Sequence, residues 1–149
     1  MPQATLDSLD RKILDALQAD GRATNVELSA RVHLSAPQCF RRVRSLEERG
    51  VIRGYRADVD PNAIGRGFEV VLDVELTNFD RASVDRFENT MAAFDEVTEL
   101  RRLFGSPDYF VRIAVADLTA YEKFLGDQVM TIPGIQKVSS RFTMKTIKT

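Results

Sequence analysis

Two Ser/Thr-x-x-Glu/Gln boxes stand eleven residues apart, at Thr24-Asn25-Val26-Glu27 and Ser35-Ala36-Pro37-Gln38. Such a box satisfies backbone N–H groups that a helix leaves open at its start, so each marks a beginning. Beginnings this close leave room for one short helix and a tight turn. The chain through His33-Leu34-Ser35 is therefore expected to run helix, turn, helix. Pro37 falls in the first turn of the later helix, where no backbone donor is missed. Ahead of both, Asp7 is a good N-cap for a helix carrying Leu9, Ile13, Leu14 and Leu17 on one face. Asp7 and Asp10 sit where the helix dipole favours negative charge, and Gly21 is expected to end this helix. Phe40, Val43 and Leu46 predict a narrow apolar stripe on the third helix, closed by Gly50. The alternating VIRGYRADV that follows predicts a small hairpin turning at Gly54.

After Gly67 the texture changes. FEVVLDVEL alternates as a half-buried strand does. Ser83 to Phe94 carries Val84, Phe87, Met91 and Phe94 at helical spacing. VTELRRLF reads as a strand, GSPDY as a turn and FVRIAVA as another strand. Leu118 to Met130 reads as a helix, broken by Pro133-Gly134, and IQKVSSRFTMKTI as a last extended run. The order β-α-β-β-α-β is the split βαβ or ferredoxin-like arrangement, an antiparallel sheet with both helices on one face. Val70, Leu72, Val74 or their alternates on the opposite face need cover, which predicts at least a dimer. The fold class is α+β: a winged helix-turn-helix domain over residues 1–58, a linker at 59–66 marked by Asp60-Pro61 and Gly65-Arg66-Gly67, and a ferredoxin-like domain over 67–149.

Composition narrows the function. Hydrophobic residues make up 44% and charged residues 29%, ordinary for a soluble globular chain. No run approaches the ~20 apolar residues needed to cross a bilayer, and the first residues lack a signal-peptide pattern. No membrane partner and a cytoplasmic location are expected. One cysteine and one histidine make neither an internal disulfide nor a Cys/His zinc site. The net charge of −1 looks wrong for a nucleic-acid binder until it is divided. Residues 35–56 hold Arg41, Arg42, Arg44, Arg49, Arg53 and Arg56 against Glu47 and Glu48, a local charge of +4. A local basic patch can face phosphate on a chain that is neutral as a whole.

Gln38, Arg41, Arg42 and Ser45 fall at i, i+3, i+4 and i+7 of the third helix and share a face, which suits reading of double-stranded DNA in its major groove. Gln38 is placed to read a base edge and Arg41 to reach guanine or phosphate. Arg42 and Arg44, flanking the stripe, are expected to meet the DNA backbone. The Ser35 hydroxyl is expected to be occupied as a cap. His33 on the turn is expected to be solvated. Cys39 is expected to pack against Leu34 as a small hydrophobic staple. No carboxylate cluster pairs with a histidine or nucleophile motif, and neither a Gly-rich phosphate loop nor G-x-S-x-G occurs. No catalytic residues, metal site or cofactor are expected.

These segments resemble the leucine-responsive regulatory protein/asparagine regulator (Lrp/AsnC) family. LDSLDRKILDALQADGRATNVELSARVHLS is similar to the family's start and LSAPQCFRRVRSLEERGVIRGYRADVDPNAIG to its recognition helix and wing. GSPDYFVRIAVADLTAYEKFL is similar to its G-x-x-D-Y effector region, and IPGIQKVSSRFTMKTIK to its closing strand. The resemblance runs from Leu6 to Lys148. It implies a bacterial or archaeal transcription regulator whose C-terminal domain binds an effector and assembles subunits as a homodimer, often an octamer, in response to an amino acid.

From the residues alone, Gly105-Ser106-Pro107-Asp108-Tyr109 is a tight turn carrying a carboxylate and an aromatic, and an ordinary hairpin turn fits it. The resemblance implies instead an effector loop at the interface between dimers. There Gly105 and Ser106 would supply donors for an amino acid's carboxylate and Asp108 the acceptor for its ammonium, beside Tyr109. The family usually has an acidic residue or Asn after the Gly and no Pro; Pro107 has no N–H to offer. Ser139 and Ser140 either line the same interface or are polar residues of an edge strand. Two rival readings remain: an architectural DNA-binding protein of the same fold that ignores small molecules, and a small-molecule-binding or enzymatic ferredoxin-like module.

Overall fold

A computed structural model describes residues 5–147. The chain forms two compact units, Met1–Asp58 and Val59–Thr149. The first contains three helices: α1 (Ser8–Ala19), α2 (Asn25–Val32) and α3 (Ala36–Glu48). All three begin with reciprocal capping boxes, at Asp7/Asp10, Thr24/Glu27 and Ser35/Gln38. α1 stops at Asp20, whose φ of −150° leaves the helical region, so Asp20 rather than Gly21 is its terminator. Between α2 and α3, His33 takes the left-handed conformation at φ 57° and ψ 45° and is exposed. That conformation caps α2 and redirects the chain.

Ile13, Leu28, Val32, Cys39 and Leu46 form the buried centre of this unit. Leu34, at the position before the Ser35 cap, belongs to the same cluster as Cys39, the geometry of a hydrophobic staple. Burial raises the Cys39 thiol pKa. The stripe on α3 differs from the sequence expectation: Cys39, Val43 and Leu46 face the core, while Phe40 is 53% exposed. The helical rotation explains it, because at 100° per residue Phe40 lies a quarter turn from Cys39. The wing also differs. Residues 51–60 contain no strand, so the hairpin about Gly54 does not form. Val51 and Ile52 pack against the core, but the residues after them are exposed and bury no second face. A two-stranded ribbon without such a face is marginal.

The second unit contains β1 (Phe68–Leu76), α4 (Arg81–Ala92), β2 (Val97–Arg102), β3 (Tyr109–Val115), α5 (Leu118–Asp127), a 3-10 turn (Val129–Thr131) and β4 (Ile135–Phe142). The strands lie in the order β2-β3-β1-β4, all neighbours antiparallel. This is the ferredoxin-like topology. Asp80 and Asp117 cap α4 and α5. Val84, Phe87 and Met91 of α4 and Tyr121 and Phe124 of α5 pack on Val70, Leu72, Val74, Val111 and Ile113 of the sheet.

Val70, Leu72 and Val74 therefore point at the helices. The opposite face carries their alternates, Glu69, Val71, Asp73 and Glu75, because successive side chains leave a strand on opposite sides. Ion pairs tile that face: Arg141 to Asp73 at 2.8 Å, Arg112 to Glu69 at 3.5 Å and Lys137 to Glu75 at 3.7 Å. Among them sit the half-buried Val71 and Phe110. The face expected to be an apolar surface in need of cover is largely charged. β4 ends at Phe142, short of the extended run read from the sequence.

Candidate functional site

α3 is fixed to α2 at one point beyond the turn: Asn25 Nδ2 donates to the Ala36 carbonyl at 2.8 Å, joining the start of α2 to the start of α3. Thr24 N and Oγ1 both donate to Glu27 Oε2, at 2.8 and 2.9 Å, and this acceptance holds the Glu27 carboxyl below its ordinary range. Within the α3 box, Gln38 N donates to Ser35 Oγ at 3.4 Å and Ser35 N to Gln38 Oε1 at 3.3 Å. The Ser35 hydroxyl is thus occupied as expected. The Gln38 carbonyl oxygen is turned back on the cap, which leaves its amide nitrogen as the group able to reach outward.

Gln38, Arg41, Arg42 and Ser45 of α3 line an open groove of about 490 Å³ together with Leu9 and Asp10 of α1, Leu34 and Arg49. Arg41 is exposed and has no ion-pair partner among the described residues. Arg44 extends outward and, among the described residues, pairs with Glu48 on its own helix, at 3.3 Å, with both side chains about two-thirds exposed. Such a pair is worth little and yields readily to phosphate.

Arg42 differs from expectation. Its Nη1 lies 2.7 Å from both Asp7 Oδ2 and Asp10 Oδ1, so it turns to the start of α1 rather than outward. The two carboxylates raise the Arg42 guanidinium pKa, and the Asp10 backbone N–H and Arg42 together hold the Asp7 carboxyl below its usual range. No spacing rule within α3 signals this contact, because its partners lie 32 and 35 residues away.

In the second unit the β2–β3 turn joins the end of β1. Asp108 Oδ2 accepts from Leu76 N at 2.8 Å, and the Asp108 carbonyl accepts from Leu103 N at 2.8 Å. Ser106 Oγ donates to Glu75 Oε1 at 3.2 Å. Gly105 has a φ of 119°, open to glycine but strained for other residues. Ser106 and Asp108 are thus brought together against Glu75 and Leu76, with Gly105 preceding them in the turn.

Tyr109 is not with them. It begins β3, is fully buried, and packs on Phe87 at 4.6 Å between ring centroids. Its hydroxyl donates to Glu88 Oε1 at 2.9 Å; burial, with Glu88 beside it, pushes its pKa up to about 12. Tyr109 is a core residue in this subunit because β3 alternation turns it toward α4. Ser139 and Ser140 also separate. Ser140 pairs with Leu72 and shares a 2.6 Å hydrogen bond with the Tyr121 hydroxyl on the helix side. Ser139 pairs with Asp73 on the opposite face. Sequence reasoning missed Phe104, which precedes the turn and is fully exposed. Its only signal was an aromatic beside Gly105, where a strand was expected to be ending.

Residues 6–53 match a winged helix-turn-helix DNA-binding family and residues 69–149 the Lrp/AsnC ligand-binding domain. The leucine-responsive regulatory protein of Escherichia coli K12 is 35% identical over 147 residues, 99% of this chain and 90% of that protein. Among solved structures, a transcriptional regulator from Neisseria meningitidis in complex with L-Met is 35% identical. It covers 97% of this chain and 94% of its own with a TM-score of 0.93. An AsnC family transcriptional regulator from Agrobacterium tumefaciens is 36% identical, over 97% and 94% of the two chains, with a TM-score of 0.91. These relatives are regulators rather than enzymes. Similarity over both units places this chain in the Lrp/AsnC family, as a transcription regulator with a DNA-binding helix-turn-helix unit and a ligand-binding unit.

Proposed function

We propose that α3 reads duplex DNA through Gln38, Arg41 and Ser45, with Arg44 meeting phosphate, and that an amino acid bound by the second unit alters this reading. The observation that carries the proposal is the shared face of Gln38, Arg41 and Ser45, on a helix capped at its start and packed from behind. An exposed, unpaired Arg41 suits bidentate recognition of guanine. The domains are residues 1–58 and 67–149, joined by a linker at 59–66, in a cytoplasmic protein.

One helix contacts too few base pairs to single out a site in a genome, whereas a twofold dimer reads two half-sites one helical turn apart. The protein works as a homodimer through the sheet of the second unit, assembling further toward an octamer. The effector sits at the Gly105-Ser106-Asp108 turn, completed by another copy, and shifts the spacing of paired recognition helices. The L-Met bound by the similar Neisseria regulator supports an amino acid as the class of effector. The test is binding to the DNA upstream of its own coding sequence, with and without each of the twenty amino acids. Enhanced or weakened binding by at least one amino acid is expected.

A second reading has its own observation. Asp108 already accepts from Leu76 N, Ser106 already donates to Glu75, and Pro107 offers no N–H. A turn satisfied in this way also fits an effector-independent architectural protein. Strong salt dependence, little sequence preference and no response to any amino acid favour that reading.

A further inference from the structure

We infer that Arg42 is a positioning residue for α3, committed to Asp7 and Asp10 and not to DNA phosphate; this rests on the reading of α3 as the helix that enters the groove. Asp10 is 6% exposed. A carboxylate buried to that degree needs a cationic partner, and removing the partner costs far more than an exposed pair returns. Arg42 is that partner at 2.7 Å; the next cation, Arg49, reaches only to 4.0 Å. For Arg42 to swing to a phosphate, the buried Asp10 would keep only the 4.0 Å contact to Arg49 and Asp7 would lose its cation.

The place of the contact explains its use. α3 meets the core through Cys39, Val43 and Leu46, a narrow stripe on which a helix can roll. Asn25 fixes its first residue. Arg42 adds a polar tether to a different helix, halfway along and at the margin between the core stripe and the Gln38-Arg41-Ser45 face, while Arg49 at the C-cap donates to the Thr5 carbonyl at 3.2 Å. A tether there sets the rotation of α3 about its axis, and so the direction in which those three side chains point.

The full-length protein is titrated against a duplex enriched from a random pool by the wild type and against a random duplex of equal length, over a salt series. Arg42→Lys keeps the positive charge but not the fork that spans two carboxylates. Asp10→Asn keeps the capping oxygen and removes the negative charge. Each is expected to lose about tenfold on the enriched duplex, the equivalent of roughly one base contact. Affinity for the random duplex and the salt slope should stay at wild-type values, which a general loss of folding would not allow. Phosphate contact makes the opposite forecast: Asp10→Asn tightens both duplexes, Arg42→Lys changes neither, and Arg42→Ala flattens the slope by about 0.9. That pattern, or unchanged binding in the Lys and Asn variants, overturns the inference and leaves the reading of α3 standing. Should Arg42→Ala not fold, the Lys and Asn variants still decide. If the wild type enriches no duplex, the reading of α3 fails and the inference with it.

Discussion

The two units are held together in different ways. The N-terminal unit closes over Ile13, Leu28, Val32, Cys39 and Leu46 and adds three capping boxes and an ionic bridge from α3 to α1. The C-terminal unit buries three times as many side chains between its sheet and two helices. A small core supplies little hydrophobic stabilisation, so short-range polar contacts carry more of the burden. The unit that faces DNA thus depends on charge and capping, while the sensing unit depends on a packed sheet that tolerates a polar outer face.

Core truncation tests this contrast most severely. Phe87→Ala should cost about 3–5 kcal/mol and Leu46→Ala about 2–5 kcal/mol. The same order of loss has unequal consequences. Leu46→Ala is expected to unfold the helical unit and abolish DNA binding while the sheet unit still melts cooperatively. Phe87→Ala is expected to lower the melting temperature of the sheet unit without removing its fold. Calorimetric scans of both variants decide. A Leu46→Ala protein that binds DNA normally would break the comparison.

Next in size is Asp108→Ala. Leu76 N loses its acceptor, which should cost about 1–3 kcal/mol, since a half-buried donor is left unpaired. Unfolding in denaturant measures that loss, and it should appear only in the second transition. If Asp108 also holds an effector's ammonium, titration with the responding amino acid shows no binding while binding to DNA alone persists. A stable variant that still binds effector removes this carboxylate from both roles.

Thr24→Ala should cost about 1 kcal/mol, because α2 has only eight residues and loses one end of its box. The loss should appear in the first transition alone. A larger effect on the sheet unit would show that the two units do not melt independently.

How much was legible in the sequence follows the same division. Local chemistry was readable: each of the three helix starts in the N-terminal unit is fixed by residues within four positions of one another. Alternation in FEVVLDVEL and FVRIAVA placed the strands to within a residue or two. Contacts between distant elements were not readable. Arg42 appeared to share a face with Arg41, and only the packing of α1 against α3 turns it to Asp10. Ser139 and Ser140 looked equivalent until strand pairing put them on opposite faces. Tyr109 looked like part of the turn until the register with Val74 set it in the core. The hairpin about Gly54 was misread for a related reason: alternation predicts a strand only where another surface covers one side of it.

Acid should expose the contrast with the least perturbation. Asp7, Asp20 and Glu27, all in the N-terminal unit, have carboxyl pKa values below the ordinary 3.8, 3.8 and 4.5. For Asp7 the leading cause is the Asp10 backbone N–H, followed by Arg42; for Asp20 it is Arg31; for Glu27 it is the Thr24 backbone N–H. In the sheet unit the Asp80 carboxyl is lowered, by Ser83 at the start of α4. A group whose pKa is depressed on folding contributes stability that is complete above its unfolded value and disappears as pH falls through its folded value. Each contribution is therefore intact at neutral pH and fades below about pH 4. The three lowered carboxyls of the N-terminal unit cap or bridge helices around a small core, so the helical unit is expected to lose its structure first as pH falls. Because these carboxyls are exposed, the effect is the smallest of the four and is screened by salt. Backbone amide resonances of α1, α2 and α3 followed against pH by NMR, alongside the ring resonances of the buried Tyr109 and Tyr121, separate the units. Simultaneous loss of both signals, or earlier loss of the tyrosine signal, would show that capping charges do not distinguish the DNA-facing unit.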